Sequence, residues 1–155
     1  MQEIQIIDFN DAYKEAFKVL NEAWIKKYFE MEPEDYRILH HPKEHIIDKG
    51  GHIFVALHKA EPVGVCALIK MGNGPFEYEL AKMGVTPKAQ GNGIGYLLGR
   101  AIVQKARDLG AKTIYIESNT QLQPAIRLYQ KLGFKEIEGI VTPYKRCDIQ
   151  MVLQL

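Results

Sequence analysis

Residues 88–119 read KAQGNGIGYLLGRAIVQKARDLGAKTIYIESN. Three glycines, Gly91, Gly93 and Gly95, fall within five residues at the point where a helical pattern begins. Downstream, Ile94, Leu97, Leu98, Ala101, Ile102, Ala106 and Leu109 recur at helical spacing, and Gly110 provides a stop. The β-branched run TIYIES, 113–118, then reads as a strand. A helix N-terminus presents unpaired amides and the positive end of the helix dipole, so it attracts an anion such as a pyrophosphate, and glycines let that anion reach the backbone. A tight strand-to-helix turn would need the same residues, so nucleotide fingerprints must be tested one by one. The phosphate loop with Gly-Lys-Ser/Thr fails, because Gly95 is followed by Tyr96 and Leu97. The dinucleotide pattern lacks its third glycine, although Glu117 mimics the ribose-binding acid.

Working outward, EIQIIDF, 3–9, alternates as a first strand, and Asn10 or Asp11 can cap the next helix. Phe17, Leu20, Trp24 and Phe29 then recur at helical spacing, read as two consecutive helices. Pro33 and Pro42 each sit near the start of a short helix, with Gly50-Gly51 as the stop. HIFVALH, VGVCALIKM and FEYELAKMGV are closely spaced antiparallel strands, joined by turns at KAEPVG and GNGP where glycine, asparagine and proline set the dihedrals. The pattern then becomes strand, helix, strand, helix, strand. A right-handed crossover makes 113–118 parallel to the strand ending at Val85. With 155 residues, no repeat and no linker, the expectation is a single α/β domain over 1–155.

Composition narrows the function. Twenty basic and 19 acidic residues leave a net charge of +1 without a basic run, which disfavours nucleic acid as a partner. No stretch reaches the roughly 18 apolar residues of a membrane span, and the N-terminus lacks the pattern of a secretory signal. Cys66 and Cys147 stand apart in apolar surroundings, as small buried hydrophobes in a reducing compartment. A cytoplasmic protein with no membrane partner is expected. HPKEH, 41–45, formally fits an inverted zinc-protease pattern, but Pro42 at the first helical position should leave His41 outside the helix and off the face of His45, so no metal is expected.

QGNGIG, 90–95, resembles the Gln/Arg-x-x-Gly-x-Gly/Ala signature of the GNAT superfamily of acyl-coenzyme A dependent N-acetyltransferases. NTQLQPAIRLYQKLGF, 119–134, resembles the family's second signature, ending in Ala-Ile-x-Leu-Tyr-x-x-x-Gly-Phe. The resemblance covers essentially the whole chain. It implies a mixed, mostly antiparallel sheet of six to seven strands flanked by helices, with strands 4 and 5 splayed around the pantetheine arm of acetyl-CoA. It also implies that backbone groups of Met83, Gly84 and Val85 meet pantetheine and thioester, and that amides of Gln90, Gly91, Asn92, Gly93, Ile94 and Gly95 hold the pyrophosphate. Asn119 would hydrogen-bond the pantetheine, although Leu122 departs from the family's Asn-x-x-Ala. The resemblance admits a homodimer.

The reaction so implied is transfer of acetyl from acetyl-CoA to a primary amine of a small molecule or peptide, directly in a ternary complex. An alkylamine of pKa near 10.4 is neutral in only about one molecule in a few thousand at pH 7, so a base or proton relay is needed. If 77–85 is a strand, Glu79, Ala81, Met83 and Val85 share a face, which makes Glu79 the candidate base, acting directly or through water. Glu117 is the competitor, and a solvated carboxylate is the plain alternative for Glu79. An amide near Val85 would stabilise the oxyanion. Periodicity alone makes Tyr129 a packing residue beside Ala125 and Leu132; the resemblance makes it the acid that protonates the leaving thiolate. Trp24, Tyr28 and Phe29 suit a core, yet the resemblance puts the acceptor pocket in their segment, with Tyr144 and Arg146 opposite. A catalytically silent acyl-CoA binding module on the same fold is the competing reading.

Overall fold

A computed structural model describes residues 3–72, 74–139 and 141–155. Seven strands form one mixed sheet in the order β1-β2-β3-β4-β5-β7-β6. They are β1 (Ile4–Asp8), β2 (His52–His58), β3 (Glu61–Lys70), β4 (Tyr78–Val85), β5 (Thr113–Ser118), β6 (Lys135–Ile137) and β7 (Ile149–Gln154). Four helices flank it: α1 (Lys14–Tyr28), α2 (Pro33–His40), α3 (Ile94–Asp108) and α4 (Gln123–Leu132). All strand pairs are antiparallel except β4 and β5. Among the described residues, no helix is long and apolar enough to cross a membrane.

The two expected helices before Phe29 resolve into a 3₁₀ turn, Asp11–Tyr13, and the single helix α1. Asn10 caps the turn, its Oδ1 accepting from Ala12 N at 2.9 Å. Pro42 leads into a π-helical turn, Lys43–Ile47. His41 lies at the end of α2, but its ring meets that of His45 edge-on at 6.2 Å, and His45 N donates to His41 O at 3.0 Å. His41 thus lies outside the turn that follows Pro42, as the sequence reading has it, but it is a neighbour of His45 across one turn and not off its face. Arg37 Nη1 lies 2.8 Å from His45 Nδ1, and no group of three or more potential metal ligands occurs among the described residues. The β2–β3 hairpin turns on Lys59 (φ +50°) and Ala60 (φ +65°), two left-handed residues with no glycine between them. Asn73 of the expected GNGP turn lies outside the described residues.

Each face of the sheet buries its own cluster. Ile94, Leu98, Ile102 and Ala106 of α3 pack with Ile114, Ile116 and Leu80 on one face. Phe17 and Ile25 of α1 and Leu39 of α2 pack with Val65 and Ala67 on the other. The buried stripe of α3 also takes in Gly99 and Val103, so Leu97 and Leu109, 37% and 43% exposed, sit at its margins. Gly84 permits the closest approach of α1: a Cβ there would stand 2.8 Å from Leu20 O.

Candidate active site

The parallel pairing of β4 and β5 lasts for two residue pairs, Tyr78↔Ile114 and Glu79↔Tyr115. Beyond them the strands part, and the β5-facing edge of β4 up to Val85 has no strand partner. A cleft of about 700 Å³ opens in this gap. Within the same stretch the β3–β4 register passes from Val65↔Gly84 to Ala67↔Ala81, so β4 uses one residue more than β3. The extra residue lies at Lys82, whose φ is +53°.

This bulge overturns the expected shared face. Met83 and Val85 pack on the α3–α4 side with Leu80. Gly84 faces α1, and Lys82 reaches Asp35 of α2. Glu79, paired in register with Ile69, faces the α1–α2 side with them. Met83 and Val85 thus border the cleft from one face of the sheet and Glu79 from the other, and the gap between β4 and β5 joins them.

At the α3–α4 end, Gln90, Gly91, Gly93, Ile94 and Gly95 line the cleft. Gly91 (φ +84°) and Gly93 (φ +75°) are left-handed, and a Cβ on either would meet no protein atom within 4 Å. Gly93 is the N-cap of α3, and no side chain caps that end. Free amides, open space and a helix N-terminus suit the diphosphate of coenzyme A. Gly95 differs, since its Cβ would come within 3.2 Å of Leu128 Cδ2, which makes it a packing glycine. Asn92 turns inward, donating to Ala89 O at 3.1 Å. Gln90 Nε2 donates to Val85 O at 3.2 Å, tying the loop to the end of β4.

Tyr129 of α4 lines the cleft from the same side, with its ring edge-on to Phe134 at 6.2 Å. Burial pushes its phenol well above the ordinary value, so it holds its proton firmly. Asn119 also lines the cleft, but its Nδ2 donates to Arg146 O at 2.7 Å and its Oδ1 accepts from Gln121 N at 2.8 Å. Its amide is thus engaged at both ends in holding the loop before β7. Cys66 is buried, whereas Cys147 is only half-buried and borders the cleft, unlike the pair of core residues expected.

On the α1–α2 side stand the two candidate bases. Glu79 makes no side-chain hydrogen bond with a described residue, and burial, reinforced by the neighbouring Glu117, pushes its carboxyl up to about 8. Glu117 is held on both oxygens, accepting from Tyr115 Oη and from Thr142 Oγ1, each at 2.6 Å. Trp24, Tyr28 and Phe29 project from the end of α1 to the cleft wall. Trp24 is oriented by Nε1 donating to Asn21 Oδ1 at 3.0 Å.

The structure adds a buried ion cluster that the sequence reading did not single out. Asp35 accepts from Lys82 Nζ at 2.7 Å and from Arg146 Nη1 and Nη2 at 2.6 Å each. Burial alone would raise Asp35, but the fork of Arg146 and the Lys82 ammonium outweigh it and hold its carboxyl near 2. Burial lowers Lys82, opposed by Asp35. Lys82 Nζ also donates to Tyr144 Oη at 3.0 Å, and the Arg146 guanidinium lies 4.4 Å from the Tyr144 ring centre and 5.6 Å from that of Trp24. Arg146 thus lies against both the Tyr144 ring and the Trp24 ring. A lysine inside the apolar stretch of β4 was the signal for this cluster, because a charge there needs a partner.

Known structures share this fold. A structure of a GNAT-family acetyltransferase from Staphylococcus aureus superposes with a TM-score of 0.87 over 98% of this chain and 99% of its own, at 21% identity. The Salmonella typhimurium protein yncA, solved with its cofactor acetyl-CoA, superposes with a TM-score of 0.75 over 99% and 94%, at 18% identity. In sequence, the uncharacterized N-acetyltransferase YjgM of Escherichia coli is 29% identical over 114 residues, 71% of this chain and 68% of its own. The N-alpha-acetyltransferase RimI of Mycobacterium tuberculosis is 37% identical over 85 residues, 54% of this chain and 51% of its own. The pattern of the acetyltransferase (GNAT) family matches residues 11–134, from the turn before α1 through Gly133 and Phe134 after α4. With parted parallel strands, a glycine-capped α3 and that match across most of its length, the chain belongs to the GNAT family of acetyltransferases.

Proposed function

We propose that the protein is an N-acetyltransferase that moves the acetyl group of acetyl-CoA to a primary amine of a small molecule or peptide, directly within a ternary complex. The observation that carries this reading is the continuity of the cleft through the sheet, from the loop at Gly93 on one face to the unbonded carboxyl of Glu79 on the other. Donor and acceptor can then enter from opposite faces and meet between β4 and β5. Acetyl-CoA supplies the activated thioester and leaves as the thiol.

The chain's own groups supply binding and proton handling. Amides of residues 91–95 hold the diphosphate, the Gln90 amide donating instead to Pro87 O at 3.2 Å, and the open edge of β4 at Met83, Gly84 and Val85 offers backbone groups to the pantetheine and to the acetyl oxygen. Glu79, raised to about 8, accepts the proton of the incoming ammonium near neutral pH, directly or through water. The tightly protonated Tyr129 donates a hydrogen bond toward the departing sulfur. Glu79 is preferred to Glu117 because Glu117 already accepts two hydroxyl hydrogen bonds. Asn119 acts by positioning the loop before β7. Acetyl-CoA-dependent thiol release across a panel of amines and peptides tests the reading, with turnover on at least one acceptor expected. Tight coenzyme A binding without turnover on any would replace it with a silent acyl-CoA binding module.

A further inference from the structure

The acceptor side of the cleft has an imbalance of partners. Three basic side chains line it, Arg37, Lys82 and Arg146, and each is already matched to a carboxylate. Arg37 pairs with Glu34, Lys82 with Asp35 at 2.7 Å, and Arg146 with Asp35 at 2.6 Å and Glu32 at 3.4 Å. Two carboxyls in the same lining, Glu79 and Glu117, have no cation bonded to them. Among the described residues, this wall has no cation to spare, and its acids without a cationic partner are Glu117 and Glu79, the latter keeping its proton below about 8. The rest of the wall is apolar: Trp24, Phe29, Ile69 and Met71, with Tyr28 45% exposed at the mouth.

We infer that the acceptor is an ammonium carried on an apolar or aromatic body, with no carboxylate near the nitrogen, so that free amino acids are excluded. The inference rests on the transferase reading above and narrows its substrate class. An acceptor carboxylate beside the reacting nitrogen would lie next to Glu117 and would find no unengaged cation, since Arg37, Lys82 and Arg146 are all paired. Recruiting Arg146 would strip the bidentate partner from Asp35, which is fully buried and cannot turn to water. A buried charge without a partner is strongly disfavoured, and rejection by unmatched charge is how a pocket excludes a near-isostere.

Matched pairs that differ only by the carboxylate provide the test: 2-phenylethylamine against phenylalanine, and tryptamine against tryptophan. Thiol release is measured at saturating acetyl-CoA, and calorimetry follows binding of each compound to the protein loaded with coenzyme A. The amine should exceed its amino acid at least a hundredfold in kcat/KM. Amino acids acetylated as well as or better than the amines would overturn the inference while leaving the transferase reading in place. If neither is acetylated but only the amines bind, the pocket's preference for an ammonium without a carboxylate stands, and turnover on the wider panel of amines and peptides decides the transferase reading. If neither member of either pair binds at millimolar concentration, the inference itself is wrong.

Discussion

Glu79 differs from an ordinary strand carboxylate in being half-buried, unbonded and close to Glu117, and its pKa near 8 arises from the first and third of these. As the base, it must be ionised in the free enzyme, so kcat/KM should rise with pH and level off above about 8. The acceptor's own ionisation adds a separate limb. Glu79→Gln should lower kcat by about 10² to 10⁴ and remove the limb near 8. A variant that keeps the limb would assign it to another group. The same shift affects stability, because the folded state keeps a proton that the unfolded chain releases above the ordinary value of 4.5. This contribution is fully present below 4.5 and is lost as pH rises to about 8, and denaturant midpoints of the glutamine variant should lose that slope. Tyr129 can be tested by removing one atom. Tyr129→Phe keeps the ring contact with Phe134, so a packing residue would lose little, whereas a donor to the leaving sulfur should lose rate. A hydrogen bond to a charged group is worth about 1.5 to 3 kcal/mol, so kcat should fall at least tenfold with coenzyme A affinity unchanged. Wild-type kcat, where chemistry limits turnover, would make solvent the proton donor.

At the level of elements, the loop before α3 and the strand before it are legible in the sequence to different degrees. Local chemistry dictates the loop: only glycine sits without strain at φ +84° and +75°, and a helix end without a side-chain cap offers its amides to an anion. The turn can therefore be read from the residues alone, whereas the diphosphate as its ligand follows only from the family resemblance, because a tight strand-to-helix turn needs the same glycines. Replacing Gly93 separates strain from obstruction. Gly93→Ala costs roughly 1 to 2 kcal/mol of left-handed backbone, while Gly93→Val adds a branched side chain in the open space before the amides. Calorimetry should find coenzyme A affinity reduced far more by valine than by alanine. Equal affinities for valine and wild type would remove the diphosphate from this loop. The bulge at Lys82 is not legible, because it arises from long-range pairing of β4 with β3 and from the reach of Lys82 to Asp35, 47 positions away in sequence. Strict alternation puts Glu79 on the face of Met83, and one extra residue moves it across the sheet. The hairpin at Lys59 and Ala60 escapes the sequence for a related reason: tertiary pairing of β2 and β3 imposes left-handed dihedrals on residues that do not advertise them.

Across the molecule, the parting of β4 and β5 that makes the cleft also removes strand pairing from the middle of the sheet. The cluster around Asp35 supplies a replacement, joining the first turn of α2, the bulge of β4 and the loop that leads into β7. Glu32 adds to the same seam, accepting from Lys145 N at 2.9 Å. With Asp35 fully buried, its neutralisation leaves Lys82 and Arg146 without their shared counter-charge, and breaking a buried pair in this way costs about 3 to 5 kcal/mol. Asp35→Asn should therefore lower Tm by roughly 10 °C, using about 2 to 4 °C per kcal/mol for a chain of this size. Its sign with pH is set by the depressed folded-state value. The stabilisation is fully present above the ordinary value of 3.8 and is lost as pH falls toward 2. A shift of that size corresponds to about 2 kcal/mol. The wild type should lose stability over this window in excess of the asparagine variant, as read from urea midpoints at pH 4 and pH 2.5. A variant with unchanged Tm and the same acid sensitivity would mean that the wall of the acceptor pocket is held by packing alone.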